Sequence, residues 1–208
     1  MRIAIVNEVS SCGKNQDILA AFTGKGHEIF NAGMCDPAQT PELTYLHTAL
    51  ISALLLQLKL ADLVIGGCGT GQGYLNAVLQ YPGITCALVQ EPLDAWLARR
   101  INAPNCISLA LNKGYGWASS INLEMIADVL LEPADVLGYP ESRAESQARS
   151  RSRLGQISRE THHSMTEILA RLDEEITRPV FANPALAARL EQAEDSELKR
   201  YLCSRMNV

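Results

Sequence analysis

Residues Leu63–Val78 read LVIGGCGTGQGYLNAV: an apolar run, five glycines within eight residues, then a second apolar run. The first run, Leu63–Gly67, is short and rich in Val and Ile, as a buried strand is. The second, Gly73–Gln80, reads as a helix. A strand that turns through glycines straight into a helix starts a parallel βαβ unit. Outward from this stretch the alternation repeats. Strands are predicted at Ile3–Val6, Glu28–Asn31, Thr85–Gln90 and Cys106–Ala110. Helices are predicted at Gln16–Lys25, at Pro41–Leu60 with Pro41 in its first turn, at Pro92–Arg100 and at Trp117–Leu131. The expected fold class is therefore α/β, a Rossmann-like three-layer sandwich around a five-stranded parallel sheet.

The pattern changes near Glu132–Pro133, after which no strand signal follows. Residues 1–138 are taken as the sheet domain and 139–208 as a C-terminal helical extension. Within the extension, HSMTEILARLDEEI (His163–Ile176) is amphipathic. Pro179 and Pro184 bracket a break before a last helix, Ala185–Leu202. The extension has too little apolar content to stand alone. It either packs on its own domain or reaches onto a partner subunit.

Apolar residues make up 47 % of the 208-residue chain, enough for a buried core. The net charge of −5 and an aromatic content of 5 % argue against a nucleic-acid partner, RSRSR notwithstanding. Leu43–Leu60 is interrupted by Thr44, Tyr45, His47, Ser52, Gln57 and Lys59, so it reads as a buried helix and not a membrane span. The N-terminus lacks the layout of a signal peptide. Six cysteines (Cys12, Cys35, Cys68, Cys86, Cys106 and Cys203) form no CxxC pair and no metal-type spacing. Free thiols in a reducing cytoplasm, with no metal and no cofactor, are the expectation.

The glycine turn sits at the C-terminal end of its strand, where open parallel sheets hold ligands. Its glycines are spaced GxGxGxG, which fits neither the dinucleotide fingerprint nor a P-loop. What distinguishes the turn is Cys68. Amides at a helix start favour a thiolate. A thiolate can carry a proton, and the same amides can hold an oxyanion. Thiol and anion cradle in one loop suit proton abstraction beside a carbonyl. The bland alternative is a small cysteine packed against the sheet. A thiol redox enzyme, with Cys12 approaching Cys68 in space, is a further alternative.

CGTGQG (Cys68–Gly73) resembles the CGTGxG signature of the ribose-5-phosphate isomerase B and galactose-6-phosphate isomerase family. MRIAIVNE resembles that family's first strand with its acidic end. TYLH (Thr44–His47) is similar to its Asp-Tyr-Pro-His, VQEPLDAWLARRIN (Val89–Asn102) to its fourth strand and following helix, and RSRSRLGQI (Arg149–Ile157) to its late arginine motif. The resemblance spans roughly residues 1–160. It implies aldose–ketose isomerisation of a phosphorylated sugar through an enediolate, without metal, in a homodimer or dimer of dimers with active sites at the subunit interface. It implies catalytic roles for Cys68 as proton carrier, Thr70 in support of the developing charge and Glu8 on the sugar hydroxyls. Gly69, Gly71 and Gly73 would cradle charge, Tyr45 and Asn102 would line the sugar, and Arg149 and Arg153 would hold the phosphate. Lys113 falls near a further family arginine.

Three family histidines are replaced, by Val9, Ile101 and Ser150. The second of these, by resemblance, opens the sugar ring. Ring opening here must come from elsewhere, be spontaneous, or be unnecessary because the substrate is acyclic. His47 is a candidate to face the site, while His162 and His163 are expected on the exposed tail. A non-catalytic sugar-phosphate binding protein is the competing reading.

Overall fold

The computed structural model describes residues 1–132 and 137–206. Strands β1 (Arg2–Asn7), β2 (Glu28–Asn31), β3 (Leu63–Cys68), β4 (Cys86–Val89) and β5 (Cys106–Ala110) form one parallel sheet in the order β2-β1-β3-β5-β4. Around it lie α1 (Asn15–Phe22), α2 (Tyr45–Gln57), α3 (Gln72–Val78), α4 (Pro92–Leu97) and α5 (Ser119–Leu131). Side chains alternate along each strand. Ile3 and Ile5 enter a core closed by α1, α4 and α5, while Ala4 and Val6 enter a second core closed by α2 and α3. The three-layer sandwich and all five predicted strands are observed.

The start of α2 differs from the expectation. Thr44 caps it in a capping box whose N3 residue is His47, so Pro41 lies outside the helix. The physical reason is the cap. The Thr44 side chain takes up an orphan amide of the first turn, and His47 Nδ1 accepts from the Thr44 amide at 2.9 Å. Every residue from His47 to Leu55 is buried. A helix that is apolar all round needs cover on both sides.

The sheet supplies one cover and the C-terminal extension the other. Beyond α6 (Ala144–Thr161) come α7 (Met165–Arg171), α8 (Glu174–Phe181), α9 (Pro184–Leu190) and α10 (Glu197–Met206). Met165, Leu169, Val180, Leu186, Leu190 and Leu202 join the core that α2 shares with the sheet. Asn183 ties this cover down. Its amide donates to Ala32 O at 3.0 Å, and its oxygen accepts from Leu186 N at 2.8 Å to cap α9. Of the two arrangements open for the extension, α7–α10 pack on their own chain, whereas α6 buries none of its residues.

The extension is also more finely divided than expected. The amphipathic stretch breaks before Asp173, which caps α8 by accepting from Glu175 N at 2.8 Å. Pro179 lies inside α8, and the last predicted helix is two, α9 and α10. Pro133, at the change of pattern, lies outside the described residues. Among the described residues no helix is long and apolar enough to cross a membrane.

Candidate active site

The sheet order reverses at β1. The chain leaves β1 for β2 on one side and returns as β3 on the other. The loops after β1 and β3 therefore part around a crevice at their C-terminal ends, the switch point where such sheets hold ligands. Glu8 immediately follows β1, and Cys68 is the last residue of β3.

Hydrogen bonds tie three loops together there. Asn112 N and Lys113 N, just after β5, donate to Gly69 O at 2.9 and 3.0 Å. Asn112 Nδ2 donates to Ser10 O, after β1, at 2.9 Å. From below, Ser108 Oγ donates to Gly71 O at 2.6 Å. Gly71 itself is held at φ +74, and a Cβ there would come within 2.4 Å of Leu88 Cδ1. Only glycine fits that position.

Cys68 is 7 % exposed, with its Sγ 3.9 Å from Thr70 Oγ1. Two loop amides are engaged: Gly71 N with Cys68 O at 3.2 Å and Gln72 N with Thr70 Oγ1 at 3.3 Å. Among the described residues, no backbone acceptor meets the amides of Gly69, Thr70 or Gly73. Glu8 is buried, its Oε2 accepting from Ser10 N at 3.1 Å and its Oε1 from Ser10 Oγ. Ser10 Oγ lies 3.5 Å from where a Cβ on Gly69 would stand, and the Tyr45 ring lies 3.5 Å from the same point on Gly73. Cys68, Thr70, Gly69, Gly71, Gly73, Tyr45 and, through Ser10, Glu8 are thus gathered in one place. The arrangement can bind an oxygen that gains negative charge and present a sulfur beside it.

The other expected site residues lie elsewhere within the chain. Asn102 ends the π-helical turn Ala98–Asn102, near Gly83 and Thr85, which precede β4. It faces Leu154 and Ser158 of α6 at the N-terminal edge of the sheet. Arg149 and Arg153 are exposed on α6, either side of Arg151, which donates to Ile101 O at 2.7 Å. Arg149 pairs with Glu145 on its own helix. Among the described residues, no hydrogen bond or ion pair joins either arginine to the Cys68 loop. Lys113 reaches that loop through its backbone.

His47 faces structure and not the site. Its Nδ1 serves Thr44, and its Nε2 lies 3.0 Å from Glu175 O on α8. Cys12 Sγ donates to Val9 O at 3.1 Å, and burial pushes its thiol pKa up. All six cysteines are free.

Ser10, Ser108 and Asn112 were not anticipated. Their signal was weak but present: a polar residue inside the apolar run of β5, or one two or three residues past a strand's C-terminal end.

The chain matches the Ribose/Galactose Isomerase family over residues 3–132. It is similar to the 4-deoxy-4-sulfo-D-erythrose isomerase of Clostridium sp. (strain MSTE9), 26 % identical over 159 residues, or 76 % of this chain and 95 % of that one. Among solved structures it resembles a 4-deoxy-L-threo-5-hexosulose-uronate ketol-isomerase complexed with a tartrate, at 30 % identity and TM-score 0.95, each chain covered fully. It also resembles a ribose-5-phosphate isomerase from Vibrio parahaemolyticus, at 32 % identity and TM-score 0.94 over 99 % of both chains. These two overlays span the helical extension as well as the sheet.

Proposed function

This chain belongs to the Ribose/Galactose Isomerase family and is an aldose–ketose isomerase, and we propose that Cys68 moves the proton between neighbouring carbons of an anionic sugar. The sulfur takes the hydrogen of C2 as a proton, and the electron pair of the C–H bond moves onto the carbonyl to give an enediolate. The same proton, or one exchanged with solvent, returns to C1, while the proton on the C2 oxygen passes to the C1 oxygen and leaves the ketone at C2. The Gly69, Thr70 and Gly73 amides hold the developing charge. Thr70 Oγ1 steadies the sulfur, while Glu8 and Tyr45 hold sugar hydroxyls. The observation that carries this reading is the tie between the loops after β1, β3 and β5, which brings the sulfur, the loop amides without a backbone acceptor among the described residues and a carboxylate to the same end of the sheet.

The terminal anion is assigned to Arg149 and Arg153, four residues apart on one face of α6. They stand away from Cys68 in their own chain, and α6 buries none of its residues. In this reading a second copy completes the site, with α6 and Asn102 of one subunit serving Cys68 of the other in a cytoplasmic homodimer. The anion is a phosphate, or one of the groups carried by the substrates for which two relatives are named, a sulfonate or a carboxylate.

Deuterium uptake from heavy water tests the proton step. The wild type is expected to exchange the hydrogen at the reacting carbon, and Cys68→Ala to lose exchange while still binding sugar. Undiminished exchange in Cys68→Ala overturns the role of the sulfur. Co-expressed Cys68→Ala and Arg149→Ala/Arg153→Ala chains test the shared site. Each is inactive alone, and mixed dimers recover activity only if the arginines act across the interface.

A further inference from the structure

We propose that Ser10 is a catalytic residue of this site: backed by Glu8, its hydroxyl carries the oxygen-bound proton of the sugar from the C2 oxygen to the C1 oxygen. The inference rests on the isomerase reading above and names the carrier that reading leaves open.

An aldose–ketose isomerisation moves two hydrogens. One crosses from C2 to C1, and Cys68 takes it. The other leaves the C2 oxygen and ends on the C1 oxygen, a transfer that a positioned acid–base group accelerates. Such a carrier accepts from one oxygen and donates to its neighbour, and it needs a base to hold the proton in between. A hydroxyl bonded to a carboxylate meets both demands. Its hydrogen goes to the carboxylate, and lone pairs remain on its oxygen for a sugar hydroxyl.

The loop after β1 builds that pair. Glu8 is 4 % exposed, and both its oxygens are turned to Ser10. Oε2 accepts from Ser10 N at 3.1 Å, and Oε1 accepts from Ser10 Oγ. Ser10 itself is exposed. A proton taken up at the exposed hydroxyl therefore reaches the buried carboxylate across one hydrogen bond. Ser11 closes the turn beneath, its N and Oγ donating to Glu8 O at 3.1 and 3.2 Å.

The same loop aims the hydroxyl at the Cys68 turn. Asn112 Nδ2 donates to Ser10 O at 2.9 Å, and Asn112 N donates to Gly69 O at 2.9 Å, so one residue sets the spacing between the two loops. Ser10 Oγ lies 3.5 Å from where a Cβ on Gly69 would stand. Gly69 directly follows Cys68, so the carbon-proton carrier and the oxygen-proton carrier serve one stretch of the crevice wall. Thr70 offers a hydroxyl there too, but its Oγ1 meets Gln72 N and Cys68 Sγ. Among the described residues, no hydrogen bond joins Thr70 or Tyr45 to a carboxylate.

The step balances. In the enediolate the C2 oxygen still bears its hydrogen, the C1 oxygen is anionic and Cys68 is a thiol. The proton of the C2 oxygen passes to Ser10 Oγ as the Ser10 proton passes to Glu8. The electron pair left on the C2 oxygen forms the ketone, while the pair of the C1–C2 double bond takes the proton from Cys68. Glu8 then returns its proton to Ser10, and Ser10 gives one to the C1 oxygen. Glu8 ends as carboxylate, Cys68 as thiolate and Ser10 as the hydroxyl it was.

Exchange and conversion separate the two hydrogens. Deuterium enters C2 whenever the enediolate forms and returns, whereas ketose appears only when the oxygen-bound proton has also moved. Ring opening precedes both and cancels from their ratio. D-Ribose 5-phosphate, D-erythrose 4-phosphate, 4-deoxy-4-sulfo-D-erythrose and 4-deoxy-L-threo-5-hexosulose-uronate are each followed by NMR in heavy water, for deuterium at C2 of the recovered aldose and for ketose formed. In Ser10→Ala, assayed below its melting temperature, ketose formation is expected to fall about 100-fold or more while exchange persists, so that the ratio of exchange to conversion rises about 10-fold or more. Glu8→Gln keeps an acceptor for Ser10 but takes no proton, and is expected to show the same rise. Ser10→Thr keeps the hydroxyl and is expected to return the ratio to that of the wild type. A Ser10→Ala enzyme that converts at the wild-type rate, or loses exchange and conversion in equal measure, overturns the proposal and leaves the role of Cys68 standing. Absence of both exchange and conversion by the wild type in all four sugars overturns the isomerase reading with it.

Discussion

Ser108 Oγ, buried within β5, donates to the carbonyl oxygen of Gly71 at 2.6 Å. One strand thereby fixes the loop that ends its neighbour. Gly71 lies between Thr70 and the start of α3, so a shift of its carbonyl moves the hydroxyl beside Cys68 and the unused amides together. Ser108→Ala removes the donor and leaves the Gly71 carbonyl with only its bond from Leu75 N at 3.1 Å, a loss of about 1 kcal/mol of stability. Turnover is expected to fall by more than the stability loss accounts for, read as kcat at a temperature where the variant is fully folded.

Gly71→Ala is expected to be more damaging. The left-handed φ of +74 disfavours any L side chain, and the added methyl meets Leu88 Cδ1 at 2.4 Å. The combined strain and overpacking amount to about 2–3 kcal/mol. Denaturant unfolding gives the magnitude. Gly13→Ala, whose Cβ would meet nothing within 4 Å, is the near-neutral control.

Asn183→Ala tests whether the extension belongs to the core of its own chain. It deletes the α9 cap and the bond to Ala32 O at once. A loss of about 2 kcal/mol or more is expected. The extension and the sheet should still unfold in a single transition, followed by circular dichroism and by Trp96 fluorescence, because α2 loses its outer cover when α7–α10 leave.

Alkaline pH is expected to weaken the fold through Tyr81. Burial raises its phenol from 10.0 to about 12. The raised pKa means that the folded state keeps its proton where the unfolded state has lost it. The contribution is whole below pH 10 and is lost as pH rises from 10 to 12, a change of about 2 kcal/mol. Denaturant titrations at pH 9 and pH 11.5 measure the drop. In Tyr81→Phe that part of the drop disappears.

Much of this protein is legible in its residues because the responsible forces are local. Short apolar runs such as Ile3–Val6, set between helical stretches, determine a parallel sheet in three layers. The glycines of Gly66–Gly73 determine a turn with close backbone approach, and Cys68 within them determines what chemistry that turn can offer. Tertiary structure decided the rest. No local signal sets the strand order, yet the reversal at β1 is what brings Glu8 to the side of Cys68. Ser108 and Asn112 matter only because β5 inserts between β3 and β4. The buried run His47–Leu55 of α2 needs a second cover, but which segment supplies it depends on packing between residues more than a hundred positions apart. Polar contacts of α6, from Arg151 to Ile101 O and from Gly83 N to Ser158 Oγ, keep the helix that bears Arg149 and Arg153 beside Asn102. A sequence can place such residues in order along the chain, but the distance between them is set by the folded sheet.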